Sequence, residues 1–340
     1  MRIISCAGYY GTGSSAVTDF FREFEGVSTL GDYEYRFVWD PDGIADLEYN
    51  IVENNNRHNT SEAIKRFIKM TSRLNSFGYA GGYKVFGDDF KRFTDEYVTT
   101  ITELKAKTWW HRNRIDKGEL FCYLDRGYSF LMRIIKGGIH NEKRYSLLQN
   151  REDSYFSSID EETFLNATRE YIDKVFSSVN KNNSENFLVD QVVPATNTQR
   201  YLRYFNDIKI VVIDRDPRDV FIQDVVRYQA GKIPTKSVED YVKWFKITRK
   251  YSQPQNEDKT RVLRMNFEEL IYDYDNAALK LMDFMGFTED MHVYKNKYLK
   301  IEKSIKNTNL AKRIKGFEKE VKYIEEQLPD YLFDFDSYTR

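Results

Sequence analysis

Arg2-Ile3-Ile4-Ser5-Cys6-Ala7-Gly8-Tyr9-Tyr10-Gly11-Thr12-Gly13-Ser14-Ser15 opens the chain as a strand-length apolar run that breaks into a glycine-rich turn. Val17, Phe20, Phe21 and Phe24 then fall on one stripe of a helix, and Gly26 stands where a C-terminal glycine stop belongs. Strand, glycine turn and helix in immediate succession predict the opening of a nucleotide-binding α/β fold.

Gly8 and Gly13 have the spacing of a phosphate-binding loop, with Ser14 in place of its lysine and Ser15 after it. Successive backbone N–H groups and the following helix N-terminus can still close on a phosphate. The lysine serves the β- and γ-phosphates of a triphosphate, so a loop without it suits a nucleotide with one phosphate at that point. The competing reading is a βα turn that binds nothing.

Farther along, Phe187-Leu188-Val189 and Ile208-Lys209-Ile210-Val211-Val212-Ile213 read as strands, the second broken by Asp214-Arg215-Asp216-Pro217. Pro217 suits the first helical position with Asp216 as N-cap, and Phe221, Val225 and Tyr228 continue the helix. Arg215 thus sits at a strand end just before a helix, placed to grip a phosphate with two nitrogens. Read instead as a Walker B acid, Asp214 would hold magnesium.

Residues 261–267 predict a further strand, Asp275 a cap for the helix through Ala278, Leu281, Met282 and Met285, and residues 317–328 an amphipathic helix. Between residues 40 and 185, helical stretches near 61–74, 92–107 and 161–179 suggest a helical insertion or cap on a single 1–340 domain.

Composition sets the outer limits. With 52 Lys+Arg against 53 Asp+Glu the net charge is −1, which argues against nucleic acid as a partner. No apolar run reaches transmembrane length and the N-terminus lacks a signal-peptide pattern, so a cytoplasmic protein is expected. Cys6 and Cys122 are read as reduced, buried thiols. His58, His111, His140 and His292 are scattered without metal spacing, and are read as surface or helix residues. Aromatic residues make up 16% of the chain, which means either a tyrosine-rich core or platforms in a cleft.

Taken together, the two turns resemble those of the sulfotransferases that use 3′-phosphoadenosine 5′-phosphosulfate. Tyr10-Gly11-Thr12-Gly13-Ser14-Ser15 is similar to the family's 5′-phosphosulfate loop, and Val212-Ile213-Asp214-Arg215-Asp216-Pro217-Arg218-Asp219-Val220 to its 3′-phosphate motif. Ser304-Ile305-Lys306-Asn307-Thr308-Asn309-Leu310 resembles the loop that closes over the nucleotide in protein-tyrosine and bacterial members. The resemblance covers residues 1–38 and about 187–328, leaves 40–185 unmatched, and points to the bacterial carbohydrate or tyrosyl-type branch.

It implies a P-loop-like three-layer α/β fold with a central parallel sheet. It also implies transfer of a sulfuryl group from that donor, without a metal, to a hydroxyl of a glycan or of a small or lipid-linked acceptor. Tyr10 through Ser15 would hold the 5′ side, and Arg215, Gln223, Ser304 and Lys306 the 3′-phosphate. Two departures stand out: Tyr10 or Gly11 occupies the place of the family's loop cation, and Gln223 that of a serine.

For the acceptor's proton, Gly31-Asp32-Tyr33-Glu34-Tyr35-Arg36-Phe37 is similar to the segment carrying the glutamate base of tyrosyl members. Glu34 is the candidate base, with Asp32 next; Tyr33, Tyr35 and Phe37 would strip water from it and strengthen it as a base. Asp190, in Asp190-Gln191-Val192-Val193-Pro194, sits near where the estrogen-type branch keeps a histidine, and reads as structural or as an acceptor contact. The missing cation is assigned to Lys84, ahead of Lys306 and Arg36.

Residues 53–59 and Trp109-Trp110-His111-Arg112 suit sugar hydroxyls and a stacking face, or equally a polar loop and an exposed helix turn. Two other functions stay open: a magnesium-dependent P-loop kinase and a non-catalytic nucleotide-binding relative.

Overall fold

The structure is a computed structural model, described here for residues 1–31, 33–76, 82–137, 143–252 and 254–338. Asp32 and His140 lie outside the described residues. The chain divides into two compact units, one formed by Met1–Asp40, Ala80–Asp89 and Ile172–Arg340, the other by Pro41–Tyr79 and Phe90–Tyr171.

Among the described residues the strands are β1 (Arg2–Gly8), β2 (Val27–Thr29), β3 (Leu104–Lys107), β4 (Asp153–Phe156), β5 (Asn186–Asp190), β6 (Ile208–Asp214) and β7 (Val262–Asn266). The first unit is built on a five-stranded sheet in the order β2-β5-β1-β6-β7. Every pairing in it is parallel, with Ile4 beside Leu188 and Cys6 beside Val211. A parallel sheet covered on both faces needs apolar side chains on both, which is why β1 and β6 read as continuous apolar runs rather than alternating ones. The expected α/β fold with a central parallel sheet is the one the chain adopts.

The helix Ser14–Phe21 packs its Val17, Phe20 and Phe21 with Phe24, Leu281, Met285 and Phe287 against the sheet's Ile4, Cys6 and Val211. Each fully buried phenylalanine contributes roughly 1.5–3 kcal/mol. A second core gathers Val220, Phe221, Tyr241, Phe245, Leu310, Ile324 and Leu328 from the helices that follow β6 and the C-terminal segment.

Local boundaries differ from expectation in four places. The first helix ends at Phe21 with Arg22 as C-cap, a turn before Gly26, whose φ of 77° serves the next turn. Asp273 rather than Asp275 stands at the N-cap position of Tyr274–Met285, without a side-chain cap hydrogen bond, its own N–H donating to the Glu269 carbonyl at the end of the preceding helix. The stretch expected as helix 92–107 is a helix only over Gly87–Thr100; Leu104–Lys107 is β3, antiparallel to β4. After Gln223 the helix widens into one π turn, Asp224–Tyr228.

The second unit holds the helices Arg57–Leu74 and Glu119–Gly137 and the antiparallel β3–β4 pair, with Ser61 Oγ accepting the Tyr155 N–H. Here the asparagine run has structural tasks. Asn56 Oδ1 caps Arg57–Leu74 by accepting from His58 and Asn59 N–H, and Asn55 donates to the carbonyls of Ile51 and Ser157.

Much of the aromatic content is core. Tyr35, Phe37, Tyr83, Phe86 and Phe176 form an edge-to-face cluster in the first unit. Tyr97 stacks on Tyr171 in the second. Cys6 is buried and its thiol is pushed above its ordinary range by burial, whereas Cys122, contrary to expectation, is only half-buried because its helix is open on one side. His292 is likewise no surface group: its side chain is buried, stacked on Phe24 and bonded through Nε2 to the buried Glu23 at 2.9 Å.

Candidate functional site

The C-terminal ends of β1, β5, β6 and β7 place the glycine turn, Gln191, Arg215 and Phe267 on one edge of the sheet, where ligands of open α/β sheets bind. The turn after β1 needs left-handed backbone at Tyr10 (φ 70°), Gly11 (67°) and Gly13 (93°). A Cβ on Gly13 would stand 2.6 Å from the Phe267 ring, so that glycine is required twice, by conformation and by contact. Thr12 is buried, and its Oγ1 accepts the Tyr9 N–H at 3.1 Å, pinning the turn from inside. Gln191 Nε2 donates to Ser14 Oγ at 3.1 Å, while Ser15 stays exposed at the helix start.

Against this turn lies a cavity of about 320 Å3, lined among others by Tyr10, Gly11, Thr12, Ser14, Glu34, Arg36, Gln191 and Lys232. Two of the proposed cofactor contacts, Gly13 and Ser15, are in the turn but do not line it. Glu34 does, with its side chain 45% exposed and Oε2 3.2 Å from Arg36 Nη1.

The side chains alternate at this point between core and cavity. Tyr35 and Phe37 turn into the aromatic core while Glu34 and Arg36 face the cavity. The expectation that Tyr35 and Phe37 would desolvate Glu34 is therefore corrected: both rings face the core, and Glu34 stays 45% exposed beside Arg36. Arg36 Nε also lies 3.5 Å from Asp40, whose carboxyl burial pushes up and Arg36 draws back down.

Three groups of the cavity were not anticipated. Gln191, rather than its neighbour Asp190, faces it; Asp224 is buried in its wall with Oδ2 accepting from Thr235 Oγ1 at 2.6 Å; and Lys232 enters on the loop after the π turn. The π turn that begins at Asp224 breaks the helical periodicity counted through Gln223, and Lys232 lies in the loop beyond it, where no periodicity assigns a direction.

Arg215 sits behind the turn rather than in the cavity lining. It is 4% exposed, donates through Nη1 to the Gly11 carbonyl at 3.0 Å and through Nη2 to the Asn307 carbonyl, and lies over the Phe267 ring. Its Nε is buried with no partner among the described residues. Arg227 Nη1 holds the side chain of the same Asn307, so two arginines fasten the 304–310 loop.

Asp219 accepts the N–H groups of Asn309 and Leu310 at 2.8 and 2.7 Å and fixes the loop's far end. Burial raises Asp219 to about 6 against the pull of Arg215, and raises the fully buried Glu268 to about 8.

Among the other expected 3′-phosphate ligands, Gln223 is buried and donates to Tyr228 OH at 2.9 Å. Ser304 is half-buried, and Lys306 is exposed. None of the three lines the cavity, and neither does Lys84, exposed on the short turn Gly82–Phe86. The cations that do line it are Arg36 and Lys232.

Asp214 has both carboxylate oxygens engaged by protein donors. Oδ1 accepts the Arg215 N–H and Arg249 Nη2, and Oδ2 accepts Arg249 Nε. This is the environment of a structural acid.

Residues 128–290 match the model described as the sulfotransferase family. No curated protein matches the chain. The matched region contains β5, β6 and β7, with the Arg215 turn between strand and helix. It also takes in residues 128–185, which the sequence resemblance had left unmatched, and stops short of the glycine turn and Glu34, which precede it.

In the second unit, Trp109, Trp110 and His111 border another cavity with Arg114, Arg126, Arg133 and Arg144. Trp110 carries Arg57 on its ring at 3.3 Å and Trp109 carries Arg114 at 5.1 Å. One face of each indole is therefore already covered by a guanidinium. Among the described residues no three of His, Cys, Asp and Glu gather as a metal site.

Proposed function

We propose that the protein is a sulfotransferase that moves a sulfuryl group from 3′-phosphoadenosine 5′-phosphosulfate to a hydroxyl of a glycan or of a small or lipid-linked acceptor, without a metal. The observation that carries this reading is the convergence of Glu34, Arg36 and Lys232 with the lysine-free glycine turn on one cavity, in a chain whose residues 128–290 match the sulfotransferase family.

In this reading the amides of Gly11 to Ser14 and the helix start face the 5′-phosphate. Glu34 takes the acceptor's proton as the acceptor oxygen forms its bond to sulfur. The sulfur–oxygen bond to the phosphate breaks, and 3′,5′-ADP leaves with the electron pair. Lys232 and Arg36 stabilise charge on the leaving phosphate, the task first assigned to Lys84. Arg215 addresses the 3′-phosphate with its unpartnered Nε, which requires Asn307 to release a terminal nitrogen as the nucleotide enters.

The placement of these groups on the sheet's C-terminal edge, and a loop fastened to Arg215 at the same edge, support a nucleotide that is gripped and then covered. The magnesium-dependent kinase reading has no comparable support, because Asp214 is committed to Arg249.

Calorimetry with 3′,5′-ADP in the presence of EDTA, and with ATP plus magnesium, tests the proposal. Tight metal-independent binding of 3′,5′-ADP is expected, followed by transfer of label from the sulfuryl donor to a member of an acceptor panel. Binding of ATP only with magnesium would overturn it, and 3′,5′-ADP binding with no transfer to any acceptor would leave a non-catalytic nucleotide binder.

A further inference from the structure

We infer that the helix Glu119–Gly137 is a homodimerisation element in which two copies of this chain cross antiparallel about Gly127. Along this helix Leu120, Tyr123, Leu124, Phe130, Leu131, Ile134 and Ile135 are between 45% and 75% exposed. Large apolar side chains scattered singly on a surface are ordinary, but seven on one helix are a patch that calls for a partner.

Their arrangement identifies the partner. With roughly 100° of rotation per residue, six of the seven lie within about 60° of the direction in which Gly127 points and Ile135 lies within about 80°. Asp125, on the opposite side of the helix, is wholly buried and ion-paired with Arg114 at 2.9 Å, which shows that the Gly127 side is the outward one.

The stripe is also palindromic about Gly127. Leu120 and Ile134 stand seven residues before and after it, Tyr123 and Leu131 four, Leu124 and Phe130 three. A two-fold axis through Gly127 therefore sets Leu120 of one copy against Ile134 of the other, Tyr123 against Leu131 and Leu124 against Phe130. A two-fold interface must be self-complementary in this way, whereas a different protein or a membrane surface imposes no such symmetry.

Gly127 itself fits the crossing point. A glycine inside a helix costs about 0.5–1 kcal/mol relative to alanine, and a Cβ here would meet nothing within 4 Å in the single chain, so no contact inside the protomer demands it. A second helix backbone approaching at that residue does.

The orientation is also electrostatically favourable, since antiparallel helices oppose their dipoles. At roughly 200 Å2 for a large apolar residue, the stripe offers on the order of 800 Å2, the share one partner gives to a standard-size interface.

Sedimentation equilibrium of the full chain at micromolar concentration should return twice the 40.5 kDa protomer mass. Leu124→Glu with Leu131→Glu should return the single mass with unchanged circular dichroism, the dissociation constant rising by at least about 100-fold as carboxylates enter the seam unpaired. The geometry is read by crosslinking in a Cys122→Ser background. Gly127→Cys should form a disulfide with its own copy; Leu120→Cys should not, but should crosslink when mixed with Ile134→Cys.

A monomer at these concentrations overturns the inference. So does a dimer indifferent to both glutamates, self-crosslinking of Leu120→Cys alone, or a monomer whose stripe binds phosphatidylcholine vesicles instead.

Discussion

Arg249 closes on Asp214 with two nitrogens, Nη2 to Oδ1 at 2.6 Å and Nε to Oδ2 at 2.9 Å, and lies across the rings of Tyr9 and Phe245 as it does so. The pair ties the end of β6 to the helix Val238–Arg249 and to the residue that begins the glycine turn. Arg249→Met should cost about 3 kcal/mol, because it strands a carboxylate that is three-quarters buried. The double variant with Asp214→Asn should regain much of this, and urea unfolding of the four proteins of the cycle measures both.

Glu34→Gln keeps the size and hydrogen-bonding reach of the side chain and removes its ability to accept a proton. Transfer should fall by at least about 100-fold while the affinity for 3′,5′-ADP stays within a factor of two of wild type, the pattern of a lost general base. Single-turnover assays with labelled donor separate the two quantities. Full transfer by the variant would move the base elsewhere in the cavity, with Asp224 the next carboxylate in its wall.

Arg215→Lys preserves the charge but cannot reach Gly11 and Asn307 together while also addressing a phosphate. Affinity for 3′,5′-ADP should drop by about 10- to 100-fold, equivalent to roughly 1.5–3 kcal/mol for a charge-assisted bond. Affinity for adenosine 5′-phosphate, which lacks the 3′-phosphate, should change little. Equal losses for both ligands in calorimetry would make Arg215 a fastening for the turn and not a 3′-phosphate ligand.

Gly13→Ala and Gly11→Ala should behave differently although both residues have positive φ. The Gly13 variant drives a methyl into Phe267, whereas at Gly11 the nearest side-chain atoms, on Ile233 and Val220, are 3.8 Å away. The first should lose at least about 2 kcal/mol of stability and the second about 1, from conformational strain alone. Thermal melts distinguish them.

Glu268 supplies a pH dependence of stability. Burial raises its folded-state pKa to about 8 from an ordinary value near 4.5, so between these values the folded protein holds a proton that the unfolded chain has released. For an acid with a raised pKa the sign is fixed: stability is full below the unfolded value and declines as pH climbs toward 8, by at most about 1.4 kcal/mol per unit. Asp219, raised to about 6, adds to the same decline below pH 6. Glu268→Gln keeps an acceptor for the Asp216 N–H and should flatten the profile between pH 6 and 8. Melting temperatures across that range provide the check.

The fold was legible in the sequence wherever the signal is local. A buried parallel strand must be largely apolar, and β1, β5 and β6 are, whereas β7 at the sheet edge carries Arg264. A turn that changes direction within a few residues must have glycine, and Gly11 and Gly13 occupy the left-handed positions. A helix starting at Pro217 with Asp216 as cap follows from proline's missing N–H and the reach of a short carboxylate, and Asp216 accepts from the Arg218 N–H as expected. The stop at Gly26 and the cap at Asp275 were misplaced because other residues could serve those ends equally well, and only packing selected among them.

The sequence by itself determined the form of the turn, a glycine-rich strand-to-helix loop with serine where a phosphate-binding loop has its lysine, and the presence of Glu34 and Arg215 as candidate groups. Which side chains share a cavity was decided only in three dimensions. Alternating burial at residues 34–37 sends Glu34 and Arg36 one way and Tyr35 and Phe37 the other, while the π turn after Gln223 begins at Asp224 and the loop beyond it brings Lys232 to the cavity wall. Lys84 and Lys306 remain outside that wall although their charge suited the task equally. Residue type and spacing report what a group can do, while the direction of its side chain depends on contacts between segments far apart in the chain.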